Sequence, residues 1–155
     1  MKINIKKTAY TLLLAGGILH GCFLWYSHRP VEIVAVHHGS SGFSDVLVKN
    51  FPFTDKGKIH WWLKNKAMLE EKYNIPNPEK DGYFYLTFWL YGDGYKEEGK
   101  YDRLCFADMK TNVNCIEKDP VFSVKNSKNM GTMFKAYDGT YRLQKNGEIV
   151  KYVYH

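Results

Sequence analysis

This sequence predicts an α+β domain behind one N-terminal membrane span, and three observations predict it. Residues 8–26 read TAYTLLLAGGILHGCFLWY and carry no formal charge. Residues 55–73 place apolar side chains at helical spacing, the only long stretch that does so. The remainder is short runs of alternating or β-branched residues broken by Gly, Pro, Asn and Asp, the signature of a mainly antiparallel, hairpin-built sheet with one long helix packed on it.

The span comes first. Nineteen residues at helical rise cover about 28 Å, close to the hydrocarbon thickness of a bilayer. Lys2, Lys6 and Lys7 precede it, and His28 and Arg29 follow. The larger cationic excess at the start favours a cytoplasmic amino terminus, and Trp25 and Tyr26 suit the headgroup zone. Cleavage as a signal peptide is disfavoured because the small residues Ala15-Gly16-Gly17 sit in mid-run. A lipoprotein box at 19–22 would have His20 where a small or apolar residue is usual, and the residues after Cys22 stay apolar. An uncleaved anchor is the expectation, giving a cytoplasmic tip and anchor over 1–29 and a periplasmic domain over 30–155. His20 is read as a neutral imidazole tolerated by the helix.

Arg29-Pro30 ends the anchor helix. Residues 31–36 (VEIVAV) read as a strand, 37–42 (HHGSSG) as a turn and 44–49 as a returning strand. Within that turn, His38 and Ser40 lack the surroundings of a catalytic base and nucleophile. Thr54 or Asp55 caps the helix running to about Tyr73, and Ile59, Trp62, Leu63, Leu69 and Tyr73 form its apolar face. Most of its lysines (Lys56, Lys58, Lys64, Lys66, Lys72) fall off that face. Residues 74–78 (NIPNP) stop it.

Residues 83–91 are the clearest strand. Phe84, Leu86, Phe88 and Leu90 alternate with Tyr83, Tyr85, Thr87, Trp89 and Tyr91, so the two sets occupy opposite faces. The Phe/Leu face is core. The Tyr/Trp face is either covered by the helix or a contact surface for a partner. Residues 92–100 form a charged, glycine-rich turn that could present Asp93, Glu97 and Glu98 to a cation or a basic partner. Residues 101–107 and 115–118 form a hairpin that Cys105 and Cys115 would link by a disulfide in an oxidising compartment. Strands follow over 121–125, 132–137, 141–144 and 148–154, with hairpin signals at Asp138-Gly139 and Asn146-Gly147.

Charge excludes one class of function. The net charge of +6 comes from 22 Lys+Arg and 16 Asp+Glu. Four of the cations flank the span, which leaves 18 against 16, or +2, for the rest. The clustered basic face of a nucleic-acid binder is absent. No metal-ligand spacing and no cofactor motif appears.

The runs RPVEIVAVHH, SDVLVKNFPFTDKGKIHWWLKNK, YGDGYKEEGKYDRLCFADMK and RLQKNGEIVK resemble a family of enterobacterial putative inner-membrane proteins catalogued as domain of unknown function 943. The likeness spans nearly the whole chain. It implies one N-terminal span in the inner membrane and assigns no activity or catalytic residue.

The functional expectation is a membrane-anchored periplasmic binding protein without catalysis. Tyr83, Tyr85, Trp89, Tyr91, Asp93, Glu97 and Glu98 would meet a protein partner, and the sharpest form is an immunity protein neutralising a toxin at the inner membrane or periplasm. The alternative is an accessory subunit of an envelope complex, with Gly17 and Gly21 as a close-packing pair in the span. A two-carboxylate hydrolase using Asp93 with Glu97 or Glu98 is disfavoured, because adjacent acids in one exposed turn lack the cleft and the separated pKa values that acid and base roles need.

Overall fold

The computed structural model describes residues 3–154; Lys2, counted above with the flanking cations, lies outside them. The chain divides into two compact units, Met1–Pro30 and Val31–His155.

The first unit is helix α1 (Ile5–Ser27). None of its apolar run is buried by the rest of the chain. Leu13, Leu19 and Phe23 stay about as exposed as isolated helix residues, at 73%, 71% and 67%. Such a surface must be covered from outside, and its length and composition suit a bilayer. Just past its end, Arg29 lays its guanidinium 3.8 Å from the Trp25 ring centroid, a pairing that suits an interfacial anchor. Cys22 is a free, exposed thiol.

The second unit is built on a seven-stranded sheet. Its strands are β1 (Glu32–His38), β2 (Phe43–Lys49), β3 (Phe84–Leu90), β7 (Pro120–Ser127), β8 (Gly131–Ala136), β9 (Gly139–Leu143) and β10 (Ile149–Tyr152), in the order β1-β2-β3-β7-β8-β9-β10. Every pair is antiparallel except β2–β3. That pair is parallel because helix α2 (Asp55–Tyr73) carries the chain back between the two strands, as a parallel connection requires. The three short strands β4 (Lys96–Glu97), β5 (Arg103–Cys105) and β6 (Val113–Glu117) form a separate sheet in the order β4-β6-β5. The predicted cystine joins Cys105 to Cys115 at directly opposed positions of β5 and β6.

Helix α2 begins where the Thr54 hydroxyl accepts the Gly57 N–H at 3.0 Å, and ends at Asn74, whose left-handed φ of 53° turns the chain away. It covers one sheet face. Ile59, Trp62 and Leu69 pack on Val46, Val48, Leu86, Phe88, Phe122, Val124 and Phe134, all buried. Trp61, off the main stripe, is half-buried edge-on to Phe51 and Phe88. Among the helix lysines, Lys58 departs from expectation: it is 1% exposed. Its ammonium lies 3.9 Å from the Tyr137 ring centroid and has no hydrogen-bond partner. Burial lowers its pKa, with Asp55 and Asp138 opposing the shift.

One turn was also placed too early. His37 and His38 belong to β1, in register with Asp45 and Ser44. The turn itself is residues 39–42, where Gly42 has φ +78° and a Cβ there would lie 2.6 Å from the Tyr83 carbonyl oxygen. Glycine lets β3 approach, and the Tyr85 N–H donates to the Gly42 carbonyl at 2.9 Å.

Candidate functional site

The sheet face turned away from α2 is where the polar side chains gather. Alternation along each strand sends Phe43, Asp45 and Leu47 of β2 and Tyr85, Thr87 and Trp89 of β3 to this side. The registers line up one row across five strands: His37, Asp45, Thr87, Ser123 and Lys135. His37, Thr87 and Ser123 in this row are buried, at 7%, 8% and 8% exposure. A polar row through the middle of a sheet face is costly unless its groups find partners.

At the His37 end the partners come from the small sheet and its loops. The His37 Nδ1–H donates to the Asp108 carboxylate at 2.8 Å, and Nε2 accepts the Tyr95 hydroxyl at 2.9 Å, a tautomer assigned from the hydrogen-bond network. The imidazole lies flat on Phe106, ring centroids 3.8 Å apart. Burial, then Tyr91 and Asp108, raise the Tyr95 phenol above its ordinary pKa. Phe106 and Ile116 also close over Leu47, with Trp89, Tyr91 and Leu104 around them. The small sheet therefore caps this end of the face.

Beyond the cap the face is open. A groove of about 550 Å³ runs over it, walled by Phe43, Tyr85, Trp89 and Tyr137 and floored by Asp45, Thr87 and Ser123, with Lys135 at the side. The Trp89 indole N–H donates to Asp45 Oδ1 at 2.7 Å. Burial raises the Asp45 pKa, outweighing the Trp89 bond and nearby His37, while Asp108 adds to the rise. A larger hollow of about 760 Å³ lies between α2 and β9–β10. Its walls are Ile59, Leu63, Tyr141 and Ile149 with Lys56, His60 and Lys151, and it contains none of the contact residues expected from the sequence.

The seven expected contact residues separate. Tyr85 and Trp89 line the open groove. Tyr83 stands beside it, edge-on to Phe43 at 6.0 Å. Tyr91 packs under the small sheet against Tyr95. Asp93, Glu97 and Glu98 are exposed and line no part of the groove; Asp93 pairs with Lys96, at 3.6 Å. The helix does not cover the Tyr/Trp face, since it packs on the Phe/Leu face. Asp45, Ser123 and Lys135 were missed by sequence reasoning. The alternation of residues 44–49 carried the signal for Asp45, which shares a face with Leu47; nothing local to Ser123 or Lys135 marks them.

The chain belongs to the family of enterobacterial putative membrane proteins (DUF943), whose model matches residues 2–153. That description assigns no function, and it is in keeping with the one helix among the described residues that is long and apolar enough to cross a membrane, at the N-terminus. No curated protein and no solved structure matches the chain.

Proposed function

We propose that this is a single-pass inner-membrane protein that holds a protein partner in the periplasm without catalysing a reaction. The open aromatic groove on the uncovered sheet face carries this reading. A small domain that packs its helix on one sheet face and leaves the other lined by Phe43, Tyr85, Trp89 and Tyr137 exposes side chains of the kind enriched at interface centres.

Orientation follows from Lys6 and Lys7 before the span, and the Cys105–Cys115 bridge suits an oxidising compartment. Only residues 28–31 separate α1 from β1, and at most about 3.5 Å per residue keeps the domain close to the outer leaflet. At His37 both ring nitrogens are already engaged, by Asp108 and Tyr95, which leaves the imidazole no free nitrogen with which to act as a base. In its sharper form the protein is an immunity protein, since blocking a toxin needs tight binding and no chemistry.

Two experiments test this. A C-terminal alkaline phosphatase fusion should be active, and a cytosolic reporter at the same place should be dark; the reverse overturns the topology. Cells lacking the gene should die when challenged with effectors secreted by sibling strains, and survive when it is restored. Survival without the gene against every such effector rejects the immunity form. If replacing α1 with an unrelated span abolishes protection, the span itself makes contacts, as an accessory subunit's would.

A further inference from the structure

The floor of the open groove contains hydrogen-bonding groups that the fold does not use. Asp45 Oδ1 accepts from Trp89, but Asp45 Oδ2 and the hydroxyls of Thr87 and Ser123 have no hydrogen-bond partner among the described residues. Thr87 and Ser123 are nevertheless 8% exposed. The three sit in register on adjacent strands, β2, β3 and β7, so they recur at about 4.8 Å across the sheet. The hydroxyl oxygens of Thr87 and Ser123 are open to the groove and not sealed beneath it, so a group lying there can reach them. All three can accept, and the ionised carboxylate can only accept. A group rich in donors can serve all three.

The walls narrow the choice further. Tyr85 and Trp89 are the diagonal neighbours of Asp45 across the β2–β3 pair. Aromatic faces beside a carboxylate attract a cation. Lys135, exposed at the other end of the row, makes no ion pair with Asp45. Asp45 therefore has no ion-pair partner among the described residues. A guanidinium fits better than an ammonium here. It is planar, stacks on rings and offers five donors in a fixed fork to a row of acceptors.

We propose that this groove receives an arginine side chain of the partner protein, its guanidinium on Asp45 Oδ2 and the neighbouring Thr87 hydroxyl, flanked by Tyr85 and Trp89. This rests on the reading of the protein as a partner-binding module and adds what the partner must present.

The test uses the full chain in detergent micelles, titrated with acetyl-Gly-Ser-Arg-Ser-Gly-amide while the Trp89 indole N–H resonance is followed by NMR. A saturable shift is expected. Replacing arginine by citrulline, which keeps the shape and removes the charge, should weaken binding by roughly tenfold or more. Asp45→Asn, which keeps an acceptor for Trp89, should do the same to the arginine peptide with the other indole signals unmoved. Equal response to both peptides, preference for a glutamate version, or a response to phosphoethanolamine alone each overturns the proposal. In cells, a benzophenone amino acid in place of Phe43 should crosslink a protein, and Asp45→Asn should abolish that product. A product that survives Asp45→Asn overturns the arginine while sparing the partner-binding reading. No product with Asp45 intact overturns both.

Discussion

The two faces of the large sheet differ in how they are covered. The face under α2 is sealed by aromatic and branched side chains, with Phe88 touching Phe51, Trp61, Trp62 and Phe122. The opposite face is closed at one end by a three-stranded, cystine-linked sheet and open at the other. Apolar burial on the first face holds the domain together. The second face keeps polar groups in register that contribute little to folding. A buried side chain on the sealed face is therefore expected to matter for stability, and one on the open face for binding.

Phe88→Ala should produce the largest effect. Removing a fully buried ring at the helix interface is expected to cost about 3–5 kcal/mol in urea unfolding. Tyr85→Ala, on the same strand but facing the groove, should cost less than half of that. Similar losses from both would remove the distinction between the faces.

Next comes the cap. Replacing Cys105 and Cys115 by serine should cost about 2–3 kcal/mol, on the chain-entropy account of closing a short loop. Amide exchange should quicken in β4–β6 while β3 and β7 stay protected. His37→Ala, which removes two hydrogen bonds and the stack on Phe106, should cost about 1–3 kcal/mol. It should loosen the same region.

Lys58→Met sharpens the picture on the sealed side. It removes a buried ammonium without a hydrogen bond, and stability at neutral pH should rise by about 1 kcal/mol. Because the folded Lys58 pKa lies below the unfolded one, the folded state binds fewer protons, and its contribution improves as pH rises through that window. Asp45 has the opposite dependence. Its folded pKa is raised, so its contribution is best below the unfolded pKa and declines as pH climbs through the folded one. Asp45→Asn should flatten that decline, the smallest effect of the set, read as the difference between the two pH–stability curves.

The sequence made some of this legible. The alternation of residues 83–91 separated the two faces of β3, and the Phe/Leu side is core as expected. A period of two states that the faces differ without stating what packs on each. The β5–β6 hairpin of the small sheet was expected with its cystine, whereas β4 was read as part of a turn because two residues carry no pattern. His37 reads locally as part of a turn because glycine and serine follow it. It extends β1 because Asp45 pairs with it and Asp108 and Tyr95, distant in sequence, hold its ring. Lys58 lies beside the apolar stripe of α2, and Tyr137 and Asp138, far along the chain, draw it in together with Asp55. The span was read directly, since its pattern depends on no other element.

The parallel pairing of β2 with β3 has a kinetic consequence. Strands β7 to β10 follow one another through tight turns and can assemble from near neighbours, whereas β2 cannot find β3 until the whole intervening helical segment has closed a large loop. Yet β3 completes its pairing only with β7, which leaves the ribosome later. During biogenesis, then, the β3 edge that will meet β7 stays unpaired and needs shielding from neighbouring chains until the final third of the polypeptide arrives.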